Sequence, residues 1–321
     1  MSTPTTTAGP DARALTRGHR RASRGRGAPS SGRRGTLSPT AAARADAPLV
    51  GSEPPAEALA GPAVRTAHRP GGSVMTARPV APGIHLVQHA NVNCYLIEDT
   101  DGLTLVDAGL PAVWRPLGHA VRALGRRPED IKALVLTHAH FDHVGAARRL
   151  VERLGVPVYA HRAEHYLAAH PYSYAHENPR ALYPLRHPAA LPILGSMVAA
   201  GVFTVKGVRA TAELTPGETV PVPGRPVVVP SPGHTHGHCA LHLPDRDVLI
   251  SGDALVTLDP YTGRRGPRII AGAATADSGL ALRSLDALAA TGAGTVLPGH
   301  GEPWHSGVAS AVEEARRHGP A

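Results

Sequence analysis

Lysine, cysteine and aromatic residues are scarce in this sequence of 321 residues, which has two cysteines and 3% aromatic residues. Lys132 and Lys206 are the only lysines, although arginine is abundant. No stretch of about 18 uncharged apolar residues occurs, and the apolar stretch at 191–203 is too short to span a bilayer. No apolar segment follows the arginines near the N-terminus, so no secretory signal is evident. We therefore expect a cytoplasmic protein that is not embedded in a membrane.

The two cysteines, Cys94 and Cys239, each lie within a predicted strand. They could form a disulfide, but disulfides are rare in the reducing cytosol. Cys239 could instead bind a metal ion. We favour the role of a small buried apolar residue, which is the more common one for a free cysteine.

The net charge of +8 is concentrated near the N-terminus. Residues 1–74 contain 11 arginines and 4 acidic residues, a balance of +7. The remaining 247 residues contain 22 basic and 21 acidic residues, a balance of +1. Because the later region is nearly neutral, its charge does not indicate a nucleic-acid partner, and we expect a small-molecule substrate.

Residues 1–74 are rich in Ser, Thr, Pro, Gly, Ala and Arg, and they lack aromatic residues and long apolar runs. Such a segment cannot bury enough surface to offset the entropy cost of ordering, so we predict a disordered tail. An arginine-rich tail could bind nucleic acid or anionic lipid, and it also resembles an organellar transit peptide. We favour the interpretation that Met75 is the true or an alternative start, because a strand-like run at 80–87 follows it closely.

Apolar residues make up 42% of the sequence, enough for a large core in residues 75–321. Short β-rich runs alternate there with helical patterns, and the alternation occurs in two halves. The first half has predicted strands at 84–88, 92–98, 103–106, 133–137 and 156–160 and helices at 112–124 and 144–154. The second half has predicted strands at 227–230, 240–243, 248–251 and 295–297 and a helix at 278–290. Residues 161–203 between them are predicted to form a helical insertion broken by prolines, so the sequence favours an α/β fold with two sheets.

The segment from Thr137 to His143 holds three histidines and an aspartate, His138, His140, Asp142 and His143. An apolar strand precedes it and a helical pattern follows it, which places these side chains on a loop at the edge of a sheet. Imidazole and carboxylate suit zinc and other divalent transition metals. The alternative is a set of surface histidines in a chain that has 20 of them. An apolar strand leading directly into this motif favours a metal site.

Four more motifs follow short apolar runs and contain Asp107, His234, Asp253 and His300. Together with the first motif, they resemble the metallo-β-lactamase superfamily in both residue type and order. The resemblance covers roughly residues 75–305. It implies a four-layer αββα sandwich with the site at the end where the strand ends converge.

The resemblance also implies roles for these residues. His138, His140 and His234 would hold one metal ion, Asp142, His143 and His300 a second, and Asp253 would bridge both. We expect two divalent ions, with zinc favoured and iron or manganese as alternatives. Asp107 is expected to brace the ligand loop through hydrogen bonds. His236 and His238 are left open as a spare ligand or a proton shuttle.

Water held between two such ions would ionise near neutral pH and attack a carbonyl, with Asp142 and Asp253 as the catalytic carboxylates. Many β-lactamases of the superfamily carry Cys or Ser at the position of Asp253, so antibiotic hydrolysis is not expected. The sequence resembles glyoxalase II-like enzymes, which implies a hydrolase of small esters or thioesters. The alternatives are a mononuclear iron persulfide dioxygenase, a phosphodiesterase or nuclease, and a metal-binding module without catalysis.

Two segments are candidates for substrate contact. Residues 258–268 are predicted to form a loop whose Arg264, Arg265 and Arg268 could bind an anionic group, or could simply be solvated. The insertion could cover the site as a lid, with Tyr172 and Tyr174 facing the substrate. Ordinary packing is the alternative for these tyrosines.

A protein that begins at Met75 is expected to fold and to keep the activity of the full chain, because every motif and core-forming run lies after that residue. Backbone amides of residues 1–74 are expected to exchange with solvent at nearly unprotected rates. Circular dichroism, activity assays and hydrogen exchange on both proteins test these expectations. A shortened protein that is unfolded, or soluble but inactive, would show that residues 1–74 contribute to fold or function.

Overall fold

A computed structural model of the chain describes residues 77–321. The predicted disordered tail, residues 1–74, and the proposed start at Met75 lie outside this range. Two β-sheets form the centre of the described part, and helices pack on their outer faces.

The first sheet has seven strands, which lie side by side in the order of the chain. Its first four strands pair antiparallel, and the fourth to seventh pair parallel. Parallel neighbours need crossover connections, so helices separate these strands in the sequence. The strands are β1 (Arg78–Ala81), β2 (Ile84–His89), β3 (Val92–Asp99), β4 (Gly102–Val106), β5 (Ile131–Val135), β6 (Val158–Ala160) and β7 (Ala212–Glu213).

The second sheet has four strands in the order β13-β10-β9-β8, and a separate two-stranded ribbon consists of β11 and β12. The pair β10 and β13 is parallel, and the other pairs are antiparallel. The strands are β8 (Val227–Pro230), β9 (Cys239–Leu243), β10 (Val248–Gly252), β11 (Val256–Leu258), β12 (Arg265–Arg268) and β13 (Thr295–Pro298).

Helices connect the strands, and three short ones lie in the insertion at 161–203. They are α1 (Trp114–Ala123), α2 (Phe141–Val144), α3 (Ala147–Leu154), α4 (His165–Ala169), α5 (Tyr183–Arg186), α6 (Leu191–Ala199), α7 (Ser278–Ala289) and α8 (Val308–His318). Across residues 77–321, none of these helices combines the length and the apolar character that a membrane span requires.

Alternating side chains of the central strands separate the core into layers. In β3, Tyr95 and Ile97 belong to the core between the two sheets, whereas Cys94 and Leu96 belong to the core under the helices of the first sheet. This alternation follows from the two-residue period of a strand. Leu285 of α7 belongs to a third core, which covers the outer face of the second sheet. The layers run helix, sheet, sheet, helix, which confirms the predicted αββα sandwich.

Several elements differ from the sequence prediction, which also lacks the short strand β7. The predicted strand at 80–87 is a hairpin of β1 and β2, and its turn contains Gly83 with a φ of 63°. The predicted loop at 258–268 is part of the ribbon of β11 and β12, because the Asp259 carboxylate accepts hydrogen bonds from Tyr261 N and Thr262 Oγ1 and closes a tight turn. The helix α8 is absent from the prediction, although its buried residues recur at spacings of three and four.

Candidate metal centre

Strand ends from both sheets meet at one end of the sandwich. Two backbone hydrogen bonds join the sheets there, from Cys239 N to Thr137 O (2.9 Å) and from Asn93 N to Gly299 O (2.9 Å). The loops that follow β5, β8, β10 and β13 therefore lie next to one another. These loops carry the seven predicted ligands, and the structure brings them into one buried cluster of His138, His140, Asp142, His143, His234, Asp253 and His300.

The first group of three donors is formed by His138, His140 and His234, whose nearest side-chain nitrogens lie within 4.8 Å of one another. His140 Nδ1 and His234 Nε2 are only 3.0 Å apart. The three imidazoles come from two loops that are almost a hundred residues apart in the sequence, and they converge on one point.

The second group is formed by Asp142, His143 and His300, again with donor atoms within 4.8 Å of one another. Asp142 Oδ2 lies 3.4 Å from His300 Nε2. Asp142 and His143 belong to the short helix α2, which directly follows the loop carrying His138 and His140. The two groups are therefore neighbours.

Asp253 lies between the two groups. Its Oδ2 is 3.4 Å from His234 Nε2 and 3.7 Å from His138 Nε2 in the first group. It is also 3.4 Å from His143 Nε2 and 3.3 Å from His300 Nε2 in the second. One carboxylate oxygen thus faces donors from both groups, as the predicted bridging role requires.

Several donor atoms of the cluster are buried without a hydrogen-bond partner among residues 77–321. They are the Nε2 atoms of His138, His140, His143 and His300 and Oδ1 of Asp253. Burying a polar atom without a partner costs about 1–3 kcal/mol, and such atoms are rare in folded proteins. Cations coordinated by these atoms would remove that cost, so the residues fit divalent metal ions.

The electrostatics of the first group favour neutral imidazoles. Burial lowers the pKa of His138, His140 and His234 well below the ordinary value, and neighbouring histidines lower it further. A neutral imidazole has a free lone pair, which is the form that binds a metal.

The second group lies in a negative field. Burial opposes protonation of His300, but Asp253 and Asp142 outweigh it and raise the pKa to about 10. Burial is likewise outweighed at His143, where Asp253 and Asp107 raise the pKa well above its ordinary value. The same carboxylates that favour a proton on these nitrogens favour a metal cation in its place.

Asp107 contacts the ligand loop at three points. Its Oδ2 accepts hydrogen bonds from Thr137 Oγ1 (2.8 Å) and His143 Nδ1 (2.9 Å), and its Oδ1 accepts one from Thr137 N (2.8 Å). With Nδ1 of His143 donating to Asp107, Nε2 is left to face Asp253. Asp107 has a φ of 57°, which turns the chain at the end of β4 so that the carboxylate reaches this loop.

His238 has a structural role beside the cluster. Its Nε2 accepts a hydrogen bond from Asp253 N (3.0 Å), so its Nδ1 carries the proton and donates it to Ser231 Oγ (2.8 Å). Burial, together with His234, lowers the pKa of His238 to about 3. Both nitrogens are therefore in use, and His238 holds the backbone of Asp253.

His236 is exposed and Cys239 is buried, and neither belongs to a ligand group in the described part of the chain.

Glu164 is a site residue that sequence reasoning missed. Its Oε2 accepts a hydrogen bond from Ala139 N (2.9 Å), and its Oε1 accepts one from Gly237 N (2.8 Å). The carboxylate, which is 1% exposed, therefore joins the loop of His138 and His140 to the loop of His234. Burial raises the pKa of the Glu164 carboxyl. An isolated glutamate after a strand gives little signal of this role in the sequence.

Asn93 is a second missed residue. Its Nδ2 donates to the carbonyl oxygens of Pro298 (2.8 Å) and Gly301 (2.8 Å), the residues on either side of the turn that presents His300. Within that turn, a Cβ on Gly299 would lie 2.0 Å from Asp253 Oδ1, so only glycine fits. Close approach and side-chain hydrogen bonds thus fix the His300 turn against the first sheet.

Of the five residues predicted to contact substrate, the two tyrosines line cavities near the cluster and the three arginines do not. Arg264 and Arg265 are exposed on the ribbon of β11 and β12. Arg268 is buried and donates to the carbonyl oxygens of Gly266 and Arg265. None of the three lines the cavity at the cluster. Tyr174 does line it, and Tyr172 lines an adjoining cavity.

The chain is similar in sequence and fold to known proteins. The family model of the metallo-beta-lactamase superfamily matches residues 88–300. The chain is 29% identical over 185 residues to the probable metallo-hydrolase YflN of Bacillus subtilis, covering 56% of this chain and 66% of that protein, just under two thirds. It is 27% identical over 218 residues to an N-acyl homoserine lactonase of a Bacillus species, covering 61% of this chain and 74% of that protein. Among solved structures, the metallo-beta-lactamase family protein TTHA1429 of Thermus thermophilus is 29% identical with a TM-score of 0.54, covering 75% of this chain and 80% of that chain.

Replacing Glu164 by glutamine is expected to lower both stability and metal affinity. The amide can accept from only one of the two N–H groups and turns its own donor towards the other, which costs about 1–3 kcal/mol for the unpaired group. Urea unfolding measures the loss in the free energy of unfolding, and competition with a chelator measures metal affinity.

Glu213→Gln is the matched control, since Glu213 is exposed at the end of β7. This variant should keep the stability and metal affinity of the unchanged protein. If Glu164→Gln behaves like Glu213→Gln in both measurements, the carboxylate does not hold the two loops together.

Proposed function

The chain belongs to the metallo-β-lactamase superfamily, and we propose that it is a metal-dependent hydrolase of a small-molecule ester or thioester. The observation that carries this proposal is the position of Asp253, whose Oδ2 lies 3.3–3.4 Å from donors of both ligand groups. A carboxylate shared in this way supports a centre of two metal ions, because it offsets the repulsion between two dications.

The proposed metal is zinc, at two ions per chain. When bound, the ions supply Lewis acidity and lower the pKa of water to near neutral from ~15.7 in bulk. His138, His140 and His234 would hold one ion, and Asp142, His143 and His300 the other. Asp107 and His238 do not need to contact either ion, since they orient His143 and the backbone of Asp253.

The cavity above the cluster is lined by Asp142, Asp253, Tyr174 and Tyr261, together with histidines of both groups. In the proposed reaction, the substrate carbonyl lies at the entrance of this cavity, whose volume of about 10 Å³ is that of one water molecule. The carboxylate of Asp142 or Asp253 accepts the proton that the attacking water loses. The acyl–oxygen or acyl–sulfur bond then breaks, the carboxylate returns its proton to the leaving oxygen or sulfur, and the products are an acid and an alcohol or thiol.

Tyr174 and Tyr261 are candidates for binding the carbonyl oxygen. Their hydroxyl groups lie 3.3 Å apart in the wall of the same cavity. Burial raises the pKa of both, that of Tyr261 well above its ordinary value. Both phenols therefore keep their protons at neutral pH and can donate a hydrogen bond to a substrate oxygen.

The similarity to an N-acyl homoserine lactonase supports the ester class, because a lactone is a cyclic ester. Thioesters of the glyoxalase II type remain part of the proposal through the motif resemblance. The two linkages can be compared directly with a matched set of substrates that share one acyl group as an ester, a thioester, a lactone or a phosphodiester.

Replacing Asp253 by asparagine is expected to remove at least one metal ion per chain and to reduce hydrolysis by about 100-fold or more, since the variant keeps the shape but loses the bridging charge. Elemental analysis of the purified, unsubstituted protein should give about two metal ions per chain. Asp245→Asn, an exposed position after β9, is the control and should leave both values unchanged.

Three results would contradict the proposal. An Asp253→Asn protein with full metal content and full turnover would remove the bridging role. A single iron ion per chain together with oxygen consumption on persulfides would indicate the dioxygenase. Cleavage of the phosphodiester alone would indicate a phosphodiesterase or nuclease.

A further inference from the structure

The insertion at 161–203 carries all the large apolar side chains that are exposed in residues 77–321. They are Tyr166, Tyr172, Leu182, Leu185, Leu191, Val198 and Phe203. Exposed apolar groups collected on one segment indicate a surface that binds an apolar partner or ligand. Tyr172, Val198 and Phe203 also line a cavity, so that part of the surface is concave.

This cavity has a volume of about 300 Å³ and is mostly apolar. A volume of this size lies at the lower end of the range for small-molecule sites, about 300–1,000 Å³. Phe141 and Tyr172 stack in its wall with ring centroids 5.7 Å apart. The aliphatic side chains of Leu194, Met197 and Val202 complete the wall.

The cavity adjoins the metal centre. Phe141, Tyr174 and Tyr261 line both this cavity and the smaller one over the ligand cluster. The ring of Tyr174 lies 4.1 Å from the ring of His140, measured between centroids. Phe141 stands in the sequence between two predicted ligands, His140 and Asp142. A molecule that reaches the metals can therefore extend into the apolar cavity without leaving the protein surface.

Arg180 is the one charged side chain in the lining of this cavity. Its guanidinium carbon lies 4.2 Å from the centroid of the Tyr174 ring, which holds the charge at the edge of the cavity. No carboxylate of residues 77–321 lies within ion-pairing distance of it, whereas Arg126, Arg148 and Arg316 each have such a partner. A half-buried guanidinium next to apolar walls can bind a planar anion through paired N–H donors.

We infer that this cavity is a binding subsite for an aliphatic group that ends in one negative charge. Arg180 contacts the charge, and the insertion covers the aliphatic part of the ligand. Together with the proposed function, which this step assumes, the substrate is an ester or thioester whose acyl or leaving group is an anionic, aliphatic chain. The three arginines at 264–268 lie outside both cavities, so they do not serve this role.

The test uses binding rather than turnover. The probes are octanesulfonate and octanol, which share a chain and differ in charge, and calorimetry on the metal-loaded full-length protein measures their affinities. Arg180→Gln is expected to weaken octanesulfonate binding at least tenfold and to change octanol binding less than twofold. Arg186→Gln is the matched control, because Arg186 is exposed in the same insertion and does not line the cavity.

A second pair of variants tests the apolar walls. Val198→Asp places a negative charge in the cavity lining and should weaken both probes, whereas Leu185→Asp changes an exposed position away from the cavity and should weaken neither. If neither probe binds, or if Arg180→Gln binds octanesulfonate as tightly as the unchanged protein, the subsite is wrong. That result would not contradict the proposed hydrolase activity. Conversely, if the protein binds both probes as expected but has no hydrolase activity, the subsite is supported and the proposed function is contradicted.

Discussion

The site depends on one constraint, which is the free-energy cost of burying charged groups and unpaired polar atoms at one end of the sandwich. The two carboxylates and five imidazoles of the cluster lie together there, and all seven side chains are removed from solvent. Taking ionised groups out of water costs several kcal/mol each unless an opposite charge or hydrogen bonds compensate. Hydrogen bonds satisfy the outer atoms of the cluster, but the inner donors face one another without partners. Cations at the centre would complete the compensation.

The outer hydrogen bonds also determine which atoms face inwards. His300 Nδ1 donates to Asn91 O (2.7 Å), and His143 Nδ1 donates to Asp107 (2.9 Å), so each ring presents Nε2 to the cluster. Glu164 and His238 act on the backbone, holding the loops that carry the ligands. The ligand positions are thus fixed by the fold before any ion binds, which is what a rigid metal centre requires.

The cluster residues could be located from the sequence because their motifs follow predicted strands and match the metallo-β-lactamase resemblance in residue type and order, and that resemblance supplied their roles as ligands. Glu164 could not, since its partners lie 25 and 73 residues away and its role exists only once the loops have met. The arginines at 264–268 show the opposite case, because they are close to Asp253 in the sequence but do not line the cavity at the cluster. The ribbon of β11 and β12 carries them away from the cavity, while Arg180, which lies 73 residues before Asp253, is placed beside it.

The central claim is that Asp253 lies between two metal ions. Anomalous diffraction from crystals of the metal-loaded protein, collected above and below the absorption edge of zinc, tests it most directly. Two peaks per chain are expected, about 3.5–4 Å apart, one within each group of three donors and both in contact with the Asp253 carboxylate. A single peak, or peaks that the Asp253 carboxylate does not contact, would contradict it.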